Sequence, residues 1–324
     1  MFYRFTLILA LAIGALALPA CKNDPVVSAK VDAARTRNDG PPIWKVTANN
    51  QEGGILYLYG AVHILPESID WQKDDMKAVL TGAGTVFFEA PQDKDALALA
   101  AIITARDGYY SGSITLPDQL DGYNQKRLFA ATLNMDLPDG SLDHMRPWLA
   151  ADVLALAALE KDGLTGARGA DQTLHALARR AGKHIRYLED MESHFAASAI
   201  LSPDVQLQDF IQTLDSLDAL PAQTRQLNAA WASGNTAYIE AAITAPLAKA
   251  APDYYAALFT TRNRAWADTL APFVKTGGNG MAVIGVGHLL GEDSLPQILK
   301  VRGLKAERYY AYKGENVIKT IDLD

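Results

Sequence analysis

The sequence predicts an α/β fold in which a mixed central sheet is built from both ends of the chain and covered by a long helical middle region. Apolar runs typical of strands occur near both ends of the predicted domain, residues 42–324. Residues 93–182 and 193–275 instead place Ala and Leu at helical spacing, with Gly or Pro between the segments. This pattern favours one sheet covered by helices, and the helical stretch could form a cap or lid.

The N-terminus predicts a lipoprotein. Residues 1–20 combine a positive charge with an uncharged apolar run that is short for a transmembrane helix, which is typical of a secretory signal peptide. The stretch "LPAC" resembles the bacterial lipobox, and its Cys21 is the only cysteine, which excludes an intramolecular disulfide. Residues 21–41 predict a flexible tether. Because Lys22 replaces the aspartate that indicates inner-membrane retention, we expect a periplasm-facing chain anchored by lipid, at the outer rather than the inner membrane.

The predicted domain begins with a hairpin, a helix and a third strand. Two β-type runs, Ile43–Thr47 and Ile55–Tyr59, flank a turn rich in Asn and Gly. Ser68 is the predicted N-cap of the following helix, which two glycines terminate. The third strand is predicted at Thr85–Glu89.

Helices dominate the middle, and strands return near the end. The predicted helical segments lie at 93–108, 120–135, 145–163, 169–183 and within 193–275, and His184–Asp190 is predicted to be a strand that ends in acidic residues. The C-terminal part predicts a strand at Met281–Gly285, a helix at 293–303 and strands at Ala306–Tyr312 and Asn316–Asp322. No repeat of 20 to 50 residues is visible.

Three strand endings carry the candidate functional side chains. A GxxH motif follows an apolar run twice, ending in His63 and in His288, and Glu89 ends the third strand. In α/β sheets, functional sites collect where strands end. Two imidazoles and a carboxylate are a common ligand set for hydrolytic metal sites, although Glu89 could instead take a proton from water. GxxH motifs are short and a lone histidine is more often structural, so the spacing alone indicates a shared site only weakly.

Other functional classes fit the sequence less well. The segment "GVGHLLG", with Glu307 about twenty residues on, is similar to a dinucleotide-binding fingerprint, but it has one residue too many and a histidine where phosphate approaches. A net charge of −7 lacks the basic excess of nucleic-acid binders, so we expect no nucleic-acid partner. The remaining histidines lack a comparable strand-end position and are expected to be structural or solvated: His144, His175, His184 and His194.

The order of these motifs resembles the TraB/GumN-type proteins, which are related to the Tiki metalloproteases. The similarity covers nearly all of residues 42–310, and its last block is the most specific. The motifs that carry it are the two GxxH turns, "FFE", "RPW" at 146–148, "GADQTL" at 169–174, "LED" at 188–190, "RN" at 262–263 and "GVGHLLGEDSLPQILKVRG" at 285–303. The usual family pattern has a glutamine at the position of His194.

This resemblance implies a Tiki-like fold, related to the erythromycin-esterase and haem-binding ChaN-like groups, and a divalent metal such as Mn, Co or Zn. By position, His63, His288 and Glu89 match the metal-binding and catalytic residues. Arg262 and Asn263 match a pair that positions the substrate. Glu292 is expected to accept a hydrogen bond from His288, because metal-bound histidines usually need such a partner.

We therefore expect a membrane-anchored periplasmic hydrolase that depends on a metal and cleaves a peptide or another amide. The alternative is a non-catalytic module that sequesters a peptide, a metal or haem, since histidines would be ligands there too. A plainer hypothesis is a structural lipoprotein in which the GxxH turns only fasten loops. It predicts that loss of His63 costs stability and no ligand.

Overall fold

A computed structural model describes residues 40–49, 53–199 and 201–310. It shows an α/β fold with one mixed six-stranded sheet, whose strands come from both ends of the chain, and a helical middle region, as predicted. In chain order the strands are β1 Ile43–Ala48, β2 Ile55–Ala61, β3 Thr85–Phe88, β4 His184–Tyr187, β5 Asn279–Gly285 and β6 Leu304–Tyr309. Their order across the sheet is β4-β3-β5-β2-β1-β6.

The sheet has a parallel part and an antiparallel part. β4, β3, β5 and β2 are parallel neighbours, and Ala61 of β2 lies opposite Gly285 of β5. β1 forms the predicted hairpin with β2 and pairs antiparallel with β6 on its other side. Every residue of β5 after Asn279 is buried, because parallel strands in the middle of a sheet are covered on both faces.

Alternating residues of the central strands build two cores. Tyr59 and Val283 point to the face that also holds Trp231, whereas Leu58 and Ile284 point to the opposite face. This alternation follows from the two-residue period of a strand. A third core lies within the middle region, and no helix among the described residues is both long and apolar enough to cross a membrane.

The helices and two π-helical turns cover the sheet and its edge. The helices are α1 Asp74–Gly82, α2 Lys94–Asp107, α3 Gly122–Asn134, α4 Pro147–Lys161, α5 Ala170–Arg180, α6 Met191–Ala199, α7 Pro203–Ser216, α8 Leu220–Ser233, α9 Thr236–Ile239, α10 Ala245–Ala250, α11 Pro252–Tyr255, α12 Thr261–Lys275 and α13 Leu295–Val301. The π-helical turns are Glu240–Thr244 and Ala256–Thr260. Several N-termini are capped as expected, for example α2 by Asp93, whose carboxylate accepts two backbone N–H bonds.

Several predicted boundaries are corrected. Ser68 is not an N-cap, because α1 begins only at Asp74, where two aspartates occupy its first turn. β3 and β4 end at Phe88 and Tyr187, so the acidic residues that follow them lie in turns. α13 spans Leu295–Val301 and β6 ends at Tyr309, both shorter than predicted. The predicted strand Asn316–Asp322, the signal peptide, the lipidation site and residues 21–39 of the predicted tether lie outside the described residues.

Two acidic side chains are buried on neighbouring helices of the middle region. Asp152 of α4 and Asp209 of α7 are 4% and 8% exposed. Burial raises the pKa of Asp209 to about 7. Burial and the nearby Asp209 raise the pKa of Asp152 well above its usual value, and both carboxyls also raise the pKa of Tyr254 in addition to the effect of its burial. In the folded protein these two carboxyl groups therefore stay protonated to a higher pH than they would in the unfolded chain.

Asp209→Asn is expected to stabilise the protein at alkaline pH. A carboxyl with a raised folded pKa contributes stability below its unfolded pKa and loses it as the pH rises through the folded value. The gain in free energy of unfolding should be about 1–3 kcal/mol at about pH 8 and smaller at about pH 5. Urea unfolding at both pH values measures it, with the exposed Asp204→Asn on the same helix as the control. An equal effect at both pH values would contradict the raised pKa.

Candidate functional site

The carboxyl ends of the four parallel strands bring the candidate side chains to one edge of the sheet. Glu189 follows β4, Glu89 follows β3, His288 follows β5 and His63 follows β2. β2 and β5 are direct neighbours in register, so the two GxxH turns lie side by side. Their convergence results from the parallel pairing, because parallel strands end at the same edge of a sheet.

His63 is held by an acidic partner that the sequence did not indicate. Its Nδ1 lies 3.1 Å from Asp171 Oδ2, and its side chain is 22% exposed. Burial disfavours the charged imidazole, but the charge and hydrogen bond of Asp171 outweigh it and raise the pKa of His63 to about 9. Asp171 lies in the first turn of α5, inside the "GADQTL" motif. A Cβ at Gly169 would lie 2.5 Å from the His63 carbonyl oxygen, so the close approach of this helix requires glycine.

His288 is buried and held by Asn263. Its Nδ1 lies 2.8 Å from Asn263 Oδ1, and its Nε2 lies 3.2 Å from Arg262 Nη1. Because a guanidinium can only donate, Nε2 must accept, so Nδ1 carries the proton and donates to Asn263. Burial and the Arg262 charge lower the pKa of His288 to about 3. The ring also packs on Trp266, with 4.4 Å between ring centroids.

Two of the predicted residues have partners that the sequence did not indicate. Asn263 is 1% exposed, its Oδ1 accepts from His288 Nδ1, and its Nδ2 donates to the carbonyl oxygens of His288 and Asp293. Glu292 is exposed, and the acceptor for His288 Nδ1 is Asn263 instead. The sequence favoured Glu292 because it lies close along the chain, whereas Asn263 reaches the ring from α12.

Glu89 is an ionised carboxylate that reaches from the end of β3 to the start of the second GxxH turn. Its Oε1 accepts the Gly285 N–H at 2.6 Å, and its Oε2 accepts from Arg262 Nη2 at 3.0 Å. Burial alone would raise the pKa of Glu89, but Arg262 and the surrounding histidines hold it well below its usual range. A Cβ at Gly285 would lie 3.2 Å from Glu89 Oε1 and 3.3 Å from His63 Nε2. Glycine at this position therefore leaves room for both groups beside the end of β5.

Arg262 is the cation at the centre of the site. It donates to both oxygens of Glu189, at 3.0 and 2.7 Å, in addition to Glu89. Its guanidinium carbon lies 4.7 Å from the centre of the Trp266 ring. A π-helical turn, Ala256–Thr260, directly precedes the helix that carries Arg262, and such turns are frequent at functional sites. The predicted substrate-positioning residue is thus already engaged with two carboxylates and His288.

Glu189 and His194 are functional candidates that the sequence missed. His194 Nδ1 lies 2.6 Å from Glu189 Oε1, and Trp266 Nε1 donates to Glu189 Oε2 at 3.3 Å. The acidic residues of the "LED" motif could have indicated this site. They were assigned to the end of a predicted strand, whereas the strand ends at Tyr187 and they lie in the turn after it. Within the described residues, Glu89, Glu189 and His194 are the acid and histidine group whose ligand atoms lie within 4.8 Å of one another.

A cavity of about 620 Å³ opens on this edge of the sheet. His63, Glu89, His288, Arg262 and His194 all line it. The rest of its wall is mainly apolar and comes from the helical middle region, so the middle region covers the site. This volume lies within the usual range for small-molecule sites.

The side chains fit a divalent metal in donor type. Asp171 and Asn263 hold the Nδ1 atoms of the two GxxH histidines, and metal-binding histidines are usually supported in this way. His63 Nε2 and Glu89 Oε1 both approach Gly285. Imidazole nitrogen and carboxylate oxygen suit Zn, Mn and Co. Arg262 contacts Glu89 and the His288 Nε2, so an ion at those atoms would have to share them with the guanidinium or displace it.

Gly285→Ala is expected to weaken metal binding about tenfold or more with little loss of stability. The added methyl would press on both His63 Nε2 and Glu89 Oε1, and a displacement of about 1 Å at a catalytic site can cost about a hundredfold. Calorimetric titration with Mn, Co and Zn measures the affinity. Gly122→Ala is the matched control, since a Cβ there meets nothing within 4 Å. Unchanged affinity would show that the ion does not lie between these groups.

Comparison with known proteins identifies the family. The model of the TraB/PrgY/gumN family matches residues 42–308, a range that holds every candidate side chain described above. The comparison with curated proteins found no significant match, and neither did the comparison with solved structures. Because the family model spans most of the sequence and ends within the last strand of the sheet, the chain belongs to the TraB/PrgY/gumN family, as its motifs predicted.

Proposed function

We propose that this chain is a metal-dependent hydrolase of peptide or other amide bonds, anchored by lipid at Cys21 and facing the periplasm. One observation carries the proposal: His63 and His288 are each fixed through Nδ1 by an oxygen acceptor and line one cavity with Glu89. Metal-bound histidines are usually held through their second nitrogen in this way.

The proposed ligands are His63, His288 and Glu89, which line one cavity. The ligand atoms that lie within 4.8 Å of one another belong to Glu89, Glu189 and His194, so an ion shared with the two GxxH histidines would require their rings to move closer. When bound, a divalent ion supplies Lewis acidity, which polarises a carbonyl and makes water more acidic. Asp171 fixes the His63 ring through Nδ1, and an ion at Nε2 would have to displace the proton that the raised pKa of His63 keeps there at neutral pH. Asn263 fixes the His288 ring through Nδ1, and an ion at its Nε2 would replace the hydrogen bond from Arg262.

Arg262 is proposed to stabilise negative charge that develops on the substrate oxygen. Its guanidinium lines the cavity, and its five N–H groups bond to Glu189 twice, Glu89, His288 and the Leu258 carbonyl oxygen, so a substrate oxygen would take the place of one of these acceptors. Fixed donors in a site shielded from water stabilise a developing oxyanion more than water does. Two carboxylates and an aromatic ring hold the group, so its position does not depend on the substrate.

A turnover experiment tests the proposal. The full-length chain in detergent is stripped with a chelator, supplied separately with Mn, Co or Zn, and incubated with mixtures of peptides and simple amides. We expect cleavage that disappears on chelation and returns with one of the metals. Tight stoichiometric binding of a peptide, a metal or haem without cleavage would instead support the sequestering module.

A further inference from the structure

The cavity at the candidate site is lined by apolar side chains as well as by its charged edge. Leu97 of α2, Leu227 of α8 and Ile243 of the first π-helical turn all line it, and each is only partly buried. Leu258 and Phe259 line it too, but are 2% and 1% exposed, and Phe259 packs on the His288 ring. Three different segments of the middle region thus direct partly exposed apolar side chains into the same space.

These side chains are well placed to contact a ligand. A large apolar residue in a protein interior normally packs against others until little surface remains, and an exposed apolar patch often marks an interaction site. Leu97, Leu227 and Ile243 keep exposed surface and line the cavity. The missing contacts can be supplied by an apolar group that enters the cavity.

The charges in the cavity indicate that this group is not an anion. Glu89 and Asp171 line the cavity, whereas Arg262 is the only Lys or Arg among the described lining residues. Its guanidinium already pairs with Glu89 and Glu189. A negative charge deep in the cavity would face Glu89 and Asp171, because the two cations there, Arg262 and protonated His63, already pair with carboxylates.

We propose that the cavity binds a carbonyl compound that carries a large uncharged apolar group beside its amide or ester bond. The apolar group, at least the size of a leucine side chain, lies against Leu97, Leu227 and Ile243. The carbonyl lies at the edge formed by His63, Glu89 and Arg262. The position of the scissile bond rests on the proposed hydrolase function, whereas the apolar subsite rests on the cavity wall.

Two sources of such chemistry fit the same wall. One is an aminoacyl compound with a leucyl or phenylalanyl side chain, and the other is an acyl compound with a short alkyl chain. Burial of a group of this size strengthens binding about tenfold to a hundredfold over an analogue that lacks it. The structure therefore predicts a preference for size and apolarity, with discrimination against acids.

Binding to the chelator-treated full-length chain tests the subsite without requiring turnover. The probes are N-acetylphenylalaninamide, N-acetylglycinamide and N-acetylaspartic acid α-amide, whose side chain is a free acid, with hexanamide and acetamide as the alkyl arm. We expect the phenylalanine or hexanoyl probe to bind about tenfold to a hundredfold more tightly than its small analogue, with the aspartate probe weakest. Which apolar probe binds better distinguishes the two sources.

Substitutions in the cavity wall test which residues cause the preference for the large apolar probe. Leu227→Asp places a charge in the wall, and Ile243→Trp keeps the wall apolar but fills the space, so both should abolish the preference for the large apolar probe. Leu133→Asp is the matched control, because Leu133 is 54% exposed and does not line the cavity. Equal binding of all probes, tighter binding of the aspartate probe or no binding at all would overturn the proposal.

The same probes separate this inference from the proposed hydrolase function. An apolar preference without cleavage of any amide in the presence of metal would remove the hydrolase and keep the subsite. Metal-dependent cleavage confined to glycyl or aspartyl amides would keep the hydrolase and remove the subsite.

Discussion

Arg262→Met is expected to lower the free energy of unfolding by about 3–5 kcal/mol, the usual cost of removing one partner of a buried ion pair. The guanidinium is bound to Glu89 and Glu189, whose side chains are 12% and 6% exposed. Without it, two carboxylates remain desolvated beside each other. Methionine retains most of the aliphatic length, so lost packing contributes little.

The pH dependence identifies the cause of this destabilisation. Burial would raise the pKa of Glu189, but Arg262 and His194 keep it lowered, and a carboxylate with a lowered pKa stabilises the fold above its unfolded pKa. The variant should therefore differ most from the wild type at neutral pH and least in acid. Urea unfolding of the wild type and the variant, in the presence of a chelator, measures the difference at neutral and at acid pH. Adding Glu189→Gln to Arg262→Met should restore part of the stability. Arg264→Met, exposed on the same helix, is the control. A loss that is equal at every pH would contradict the electrostatic explanation.

His63→Ala is expected to reduce metal-dependent kcat/KM about a thousandfold, because it removes a proposed ligand and leaves Asp171 without its partner. Metal affinity should fall with it. Asp171→Asn keeps the ring but removes the charge that orients it, so it should cost about tenfold to a hundredfold. The exposed His144→Ala should behave as the wild type.

The relative size of the losses in these three variants distinguishes a metal site from a structural role of His63. Calorimetric titration of metal into each variant, circular dichroism and urea unfolding separate affinity from stability. If His63→Ala loses stability but binds metal as the wild type does, the histidine only fastens its loop, and the structural-lipoprotein hypothesis gains.

The sequence was sufficient to place three site residues at strand ends. Glycine, a β-type run and a histidine are local signals, and they located His63, Glu89 and His288 at the correct turns. The α/β class and the origin of the strands at both ends followed from periodicity in the same way. The chemical roles assigned to these residues stay predictions.

The partners of these residues could not be predicted, because they depend on packing between distant elements. Asp171 meets His63 only through the approach of α5 to the loop after β2, and Asn263 reaches His288 from another helix. Glu189 was concealed by a strand predicted three residues too long. The strand order was also beyond the sequence, since local periodicity carries no information on which strands become neighbours.

The pairing of β2 with β5 has a consequence for how the protein is made. Ile55 bonds to Asn279 across 224 positions, so the middle of the sheet cannot form until nearly the whole chain has left the ribosome. Contacts so distant along the chain are slow to form, because the conformational entropy of a long loop is lost before the contacts that stabilise the fold are made. A nascent chain thus stays without its central strands for most of its synthesis, and a truncation before residue 279 removes both the sheet centre and the second histidine turn.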